Sequence, residues 1–258
     1  MPVGDIVHRL ERAPSTNDAA RALALAGAPH GTAVLAGEQT RGRGTKGRSW
    51  HSPAGLGLYA SFILRGPGGG PVPAPHLVPL AAGLAASDAV LESAGVVVTL
   101  KWPNDVLFEG RKLGGVLCEG VAGAAGGDFV VVGVGLNVGH RAGDFPEELR
   151  GAAVSLRLAA GRDVAVEAVF AALGPALERW YNVLARGDKQ GVVAAFEARP
   201  AFPRGAAVRV ETAAGAFDAE YRGLDAEGRL VVARPGAGTV VLDAVRKLER
   251  TVAGGGPC

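Results

Sequence analysis

The run from Leu77 to Ala94, LVPLAAGLAASDAVLESA, restricts the fold more than any other stretch of the chain. Apolar residues occupy nearly every face of the helix it predicts, and such a helix belongs inside a core. Ser87 and Asp88 break the longest apolar-rich segment, Leu77 to Leu91, short of a membrane span. The N-terminal MPVGDIVHRLERAPSTND has no apolar stretch of signal-peptide length. A soluble, cytoplasmic protein with no membrane partner is expected.

Short β-prone runs surround this helix: Thr32 to Glu38, Leu58 to Leu64, Val96 to Leu100 and Phe129 to Val138. Val106 to Phe108 and Lys112 to Glu119 flank Glu109-Gly110-Arg111 and read as a hairpin. Ser15, Thr16 and Asn17 precede AARALALAGAP, a first helix stopped by Gly27 and Pro29. Residues 65 to 76 are a Gly/Pro excursion, and 140 to 151 a polar loop. Residues 163 to 198 are mainly helical, with breaks expected at Gly174-Pro175 and Gly187. From Gly205 the pattern changes to short β segments (Val208 to Glu211, Phe217 to Arg222, Leu230 to Ala233, Thr239 to Leu242), which suggest a small barrel. Strands and helices do not alternate regularly. The fold class is therefore α+β, with a main domain over 1–200 and a small β domain over 205–250.

With 27 basic against 25 acidic side chains the net charge is only +2, and 48% of residues are hydrophobic. That excludes a disordered chain and argues against a dedicated nucleic-acid coat. Cys118 and Cys258 cannot form a disulfide framework, in keeping with a reducing compartment. His8, His30, His51, His76 and His140 never fall at metal-ligand spacing, so no protein-only metal site is expected.

The densest chemical signal is Gly42-Arg43-Gly44-Thr45-Lys46-Gly47-Arg48-Ser49-Trp50. Glycines let backbone N–H groups approach an anion, guanidinium groups grip phosphate oxygens, and an indole covers a base. No GxxxxGK[ST] pattern is present, so this is not a Walker A loop. A solvated basic loop and an RGG-type nucleic-acid contact remain as alternatives. The second signal is Lys101-Trp102-Pro103-Asn104-Asp105, with Lys112 following in RKLGG; the chain has only five lysines, and three lie in these segments. Asn104 and Asp105 suit a ribose or a magnesium-bound phosphate, and a lysine neutralises a carboxylate under attack. Ordinary turn chemistry explains Pro-Asn-Asp equally well, and Trp102 reads as packing. In Gly133-Val134-Gly135-Leu136-Asn137, glycines within a strand admit either a close ligand or close packing.

Taken together and in order, STND at 15, EQTRGRGTKGRSW at 38, KWPNDVLFEGRKLGGVLCE at 101 and VGVGLNV at 132 closely resemble the catalytic domain of biotin protein ligases. The similarity runs through nearly the whole chain. It implies a mixed sheet with flanking helices, as in class II synthetases, plus a small SH3-like β-barrel. The implied reaction joins biotin and MgATP into biotinyl-5′-adenylate, then passes biotin to one lysine of a biotin carboxyl carrier protein. By motif position, Ser15, Thr16, Asn17 and Gln39 should bind biotin, and Gly42, Gly115 and Gly133 should line its pocket. Arg43 and Arg48 should grip phosphates, with Arg43 also at biotin, and Lys112 should bind the biotin carboxylate. Trp50 should pack over the nucleotide, and Asn104, Asp105 and Asn137 should place ATP and Mg²⁺. Asp105 is also the candidate to orient or deprotonate the incoming lysine amine.

One position departs from the family loop GRGRxGR: Thr45 stands where a second Arg is usual, so either Lys46 substitutes for it or the adenylate is held less tightly and released faster. Only 14 residues precede Ser15, so no DNA-binding module and no specific DNA partner are expected. Homodimerisation by strand addition occurs in such proteins, but no residue here compels it. The rivals are a lipoate or octanoate ligase of the same fold and a non-catalytic nucleic-acid-binding module.

Overall fold

The computed structural model describes residues 1–122 and 127–251; Cys258 lies outside them. The first sheet contains β1 Val7–Ala13, β2 Ala33–Gln39, β3 Gly57–Arg65, β4 Thr99–Lys101, β5 Asp105–Phe108, β6 Arg111–Val121 and β7 Phe129–Asn137. Their order is β1-β2-β3-β7-β6-β5-β4. β1 runs parallel to β2 and every other neighbouring pair is antiparallel, which makes the sheet mixed. The second sheet, β8 Ala207–Thr212, β9 Gly215–Leu224, β10 Leu230–Arg234, β11 Gly238–Leu242 and β12 Lys247–Arg250, is antiparallel in the order β11-β10-β9-β8-β12. Five helices complete the chain: α1 Thr16–Leu25, α2 Val78–Ala94, α3 Leu156–Ala160, α4 Val166–Ala185 and α5 Lys189–Glu197. The architecture is α+β.

β3 is buried on both faces from Gly57 to Leu64, in keeping with a largely apolar run that Ser61 interrupts. Leu58, Ala60, Phe62 and Leu64 enter the larger core with α2 and α4, whereas Ile63 joins Ala20 and Ala24 of α1 in a smaller cluster. Helices thus cover both faces. α2 is held between this sheet and α4, which accounts for its apolar circumference. Val208, Val210, Leu230 and Val232 of the second sheet belong to the same large core as α2, so the two sheets share one interior.

Glu109 and Gly110 both have positive φ, 49° and 74°, the requirement of a type I′ hairpin turn, and they join β5 to β6 as expected. Three features differ from the sequence reading. α4 runs unbroken through Gly174-Pro175, because tertiary packing outweighs the lost backbone hydrogen bond. Leu173, Ala176 and Leu177 around the proline are fully buried. Val3 N donates to Glu178 Oε2 at 2.8 Å across the helix, and a Cβ at Gly174 would stand 2.6 Å from the Val3 carbonyl oxygen. β1 carries no apolar alternation because it is an edge strand, exposed from His8 to Arg12. β12 adds a fifth strand to the C-terminal sheet.

Candidate active site

On the sheet face that carries α1, pairing aligns two rows of residues. Ser61 of β3 stands opposite Gly133 of β7, which stands opposite Leu117 of β6. One step along, Tyr59 faces Gly135, Gly135 faces Gly115, Gly115 faces Asp105 and Asp105 faces Lys101. The glycines keep the centre of this face low. Above it lies a cavity of about 290 Å³, walled by the start of α1, the 43–51 loop, residues 101–105, Phe145 to Ala153 and Val245 to Leu248.

At the α1 end a buried polar chain forms. Ser61 Oγ donates to Asn17 Oδ1 at 2.6 Å and lies 2.8 Å from Thr16 Oγ1. Gln39 Oε1 accepts from Thr16 N at 2.9 Å and from Thr16 Oγ1 at 3.1 Å, while Gln39 Nε2 donates to Ser52 Oγ at 3.0 Å. The side chain of Gln39, reaching from β2, therefore caps the first turn of α1. Ser15 occupies the N-cap by backbone geometry but makes no capping hydrogen bond, so its hydroxyl is not committed to the helix. Asn17 Nδ2 donates to Glu119 Oε2 at 2.6 Å, and Glu119 with Asp18 holds Arg43, the Asp18 contact being 2.7 Å.

Along the second row, Asp105 takes Lys112 Nζ on one carboxylate oxygen at 2.5 Å and Lys101 Nζ on the other at 2.9 Å. Burial alone would raise the Asp105 carboxyl; the charges and hydrogen bonds of Lys112 and Lys101 reverse this and hold it below the ordinary carboxylate value. A carboxylate so held is a weak proton acceptor, which favours orientation over proton abstraction as its role. Lys112 Nζ also lies 5.5 Å from the centre of the Trp50 ring. Asn137 donates to the backbone carbonyls of Val154 at 3.1 Å and Lys112 at 3.4 Å, and Asn104 Nδ2 donates to Val116 O at 2.7 Å. Both amides are thus committed to fixing the strand that bears Lys112.

The 42–50 stretch is a small hairpin. Arg43 and Ser49 pair as an antiparallel bridge, Gly44 N donates to Arg48 O, and Trp50 N to Gly42 O. Its tip, a 3₁₀ turn over Thr45–Gly47, is tied to the second sheet: Lys46 Nζ and Arg48 Nη2 both donate to Arg246 O, at 2.9 and 2.8 Å. Burial first, then the charges of Arg48 and Lys101, lower the Lys46 pKa, so these cations lie within electrostatic reach of one another.

A family model described as the biotin/lipoate A/B protein ligase family matches residues 10–137. A biotin--[acetyl-CoA-carboxylase] ligase of Paracoccus denitrificans is 37% identical over 240 residues, covering 91% of this chain and 97% of that protein. The chain belongs to the biotin/lipoate A/B protein ligase family. The bifunctional ligase/repressor BirA of Bacillus subtilis is 36% identical over 218 residues, which are 84% of this chain; the chain spans 66% of that relative. Among solved structures, the biotin protein ligase from Aquifex aeolicus in complex with biotin and ATP matches with a TM-score of 0.80 at 28% identity. That match covers 96% of this chain and 100% of the other.

Against this family background, nearly every residue singled out in the sequence lines the one cavity: Ser15, Thr16, Asn17, Gln39, Arg43, Arg48, Trp50, Asn104, Asp105, Lys112, Gly115, Gly133 and Asn137. Gly42 lies behind the lining, where a Cβ would strike Trp50 O at 2.5 Å and Ser52 Oγ at 2.6 Å. For Gly133 and Gly135 the structure favours close packing. A Cβ at Gly133 would overlap the Asn17 amide and one at Gly135 would come 2.6 Å from Trp50 Nε1, whereas Gly115 has ordinary contact distances. Close packing explains the first two; a Cβ at the third would lie in ordinary contact with Asn104 O and the Lys112 side chain. Trp102 is packing, as read: it is buried and donates to Gly228 O of the second sheet at 2.9 Å.

Four participants were missed. Ser61 was legible as the one polar residue in an apolar strand, and Lys101 as one of few lysines. Glu119, at the end of β6, carries no such signal. Neither does the Val245 to Leu248 edge, which reaches the site only through the tertiary fold.

Proposed function

We propose that this protein is an ATP-dependent biotin–protein ligase, which forms biotinyl-5′-adenylate and transfers the biotinyl group to a lysine of a biotin carboxyl carrier protein. The observation that carries the reading is Asp105 holding Lys101 and Lys112 between the buried polar chain and the cationic hairpin. Bringing a carboxylate against a triphosphate is opposed by like charge, and cations fixed at the junction offset that repulsion.

The polar chain suits a ureido ring, whose two N–H groups and carbonyl match a mixture of acceptors and donors in Ser15, Thr16, Asn17 and Gln39. A lipoyl or octanoyl tail offers no such partners and would bury the uncommitted Ser15 hydroxyl beside hydrocarbon, at about 1–3 kcal/mol. Biotin is therefore favoured over the other acids of the family. With no side chain at Gly115, against which Lys112 packs, the acid's carboxylate reaches that ammonium, and the backbone anchored by Asn137 keeps it in place. Arg43 and Arg48 meet phosphate oxygens after exchanging their present partners, and Trp50 closes the site over Gly135 and the nucleotide. Asp105 orients the carrier lysine in the second step.

Magnesium fits this donor set only in company with the nucleotide. Asp105 is the sole carboxylate among the described lining residues, and no cluster of three or more metal-binding side chains occurs among the described residues. When bound, the ion supplies charge neutralisation to the triphosphate. Asp105 would give it one oxygen.

The test is ATP–pyrophosphate exchange with biotin, lipoate or octanoate, followed by mass spectrometry of an apo carrier domain. Biotin-dependent exchange and a biotin-sized mass increase on one carrier lysine are expected. Exchange driven by lipoate or octanoate in preference to biotin refutes the assignment of the acid.

A further inference from the structure

The cations over the cavity fall into two groups. Lys112, on β6, faces the sheet centre: its ammonium is near Trp50, and its Cε would lie 3.5 Å from a Cβ at Gly115. Lys101, on β4, takes the opposite oxygen of Asp105 and stands at the edge of the first sheet. Lys46 and Arg48 converge on that same end, both bound to the carbonyl of Arg246, where Val245 to Leu248 of the second sheet close the cavity wall. The charges of Lys101 and Asp105 are both felt at Lys46. The order along the cavity is therefore polar chain, Lys112, Asp105, then Lys101 with Lys46 and Arg48.

Adenylate formation imposes a direction on this order. A carboxylate oxygen forms a bond to the α-phosphorus while the bond from that phosphorus to the bridging oxygen of the β-phosphate breaks. The electron pair departs with pyrophosphate. Attacking and leaving oxygens lie roughly in line, so a carboxylate held at Lys112 directs the leaving group away from Lys112. We propose that Lys101, assisted by Lys46, holds the pyrophosphate leaving group, and that the Arg246 carbonyl, just before β12, orients Lys46 toward it. This deepens the ligase reading and rests on it.

Lys101 suits the task for two reasons. It sits on a strand paired to β5, so its ammonium keeps its place when the hairpin moves. Asp105 occupies one direction of that ammonium, and its other donors remain for an anion. The same geometry runs in reverse: pyrophosphate bound there attacks the α-phosphorus of the adenylate, the acyl–phosphate O–P bond breaks, and ATP and free carboxylate are restored.

The experiment measures biotin-dependent ATP–pyrophosphate exchange against pyrophosphate concentration, with the whole chain, biotin and MgATP. Lys101→Met should raise the KM for pyrophosphate at least tenfold, while the biotin Kd, measured by calorimetry, changes less than twofold. Lys101→Arg should return the KM to within about threefold of wild type. Lys46→Met, on the hairpin tip, should raise the same KM about threefold. An unchanged pyrophosphate KM in Lys101→Met or in Lys46→Met overturns the assignment, as does a loss of biotin affinity equal to that for pyrophosphate. A wild-type protein without any biotin-dependent exchange overturns the ligase reading itself, whereas an active wild type with indifferent variants overturns this assignment alone.

Discussion

Single alanine substitutions at Gly133, Gly135 and Gly115 should separate packing from catalysis along one strip of sheet. At Gly133 the new Cβ overlaps the amide of Asn17, a side chain only 3% exposed. Moving Asn17 breaks its 2.6 Å bonds with Ser61 and Glu119. Two such bonds contribute about 1–3 kcal/mol net, and forced overpacking adds about 1–3 kcal/mol. A loss of about 2–6 kcal/mol is expected, which lowers Tm by about 4–24 °C at roughly 2–4 °C per kcal/mol. At Gly135 the Cβ meets the Trp50 indole at 2.6 Å, but Trp50 belongs to the hairpin and can swing out. Stability should fall by less than about 1 kcal/mol, with a large loss of exchange activity. At Gly115 the nearest atoms are 3.5 Å away, so Tm should stay within about 2 °C while the methyl crowds the approach to Lys112 and raises the KM for biotin. Thermal melts and exchange kinetics on the three proteins decide. Equal Tm losses at all three positions, or a Gly133→Ala protein as stable as wild type, would refute the reasoning.

Two further outcomes follow from the same site. His140 is fully buried, both its ring nitrogens lack partners, it stacks on Phe145 at 4.8 Å, and burial lowers its pKa to about 4. The unfolded chain then binds a proton that the folded protein refuses, so His140 makes stability fall as pH drops from about 6.5 toward 4. His140→Phe should flatten that part of a denaturant-measured stability profile; an unaltered slope contradicts the assignment. Thr45 lines the cavity without a guanidinium, and Thr45→Arg should slow release of biotinyl-adenylate about tenfold or more, the worth of one charge-assisted hydrogen bond. An unchanged off-rate in a filtration or fluorescence chase refutes it.

Elements with a strong internal signal were readable from the sequence. α2 is apolar all round, the β5–β6 turn has Gly110 at a positive φ, and β3 is a largely apolar run; each settles locally what it does globally. β1 and β12 lack that signal because one exposes a charged face and the other has a single buried residue, Leu248, so long-range pairing alone defines them. Pro175 is the converse case, a clear local break signal overridden by the Val3–Glu178 clamp. In the site, motif residues could be named but their present partners could not. Gln39 caps a helix 23 residues distant, and Arg246 is 198 residues from Arg48.

Those partners neutralise the cations gathered around the cavity. Arg43 is taken by Asp18 and Glu119, Lys101 and Lys112 by Asp105, and Lys46 and Arg48 by a backbone carbonyl. Each cation is thereby held at the cavity wall, and the mutual repulsion of the cations is reduced. The partners are of unequal hold. Asp105 is the most enclosed of the carboxylates, with 15% of its side chain exposed, against 35% for Glu119 and 50% for Asp18. Water competes best for the exposed pairs, so the Arg43 contacts with Asp18 and Glu119 are the more easily exchanged, whereas Asp105 holds Lys101 and Lys112 more firmly.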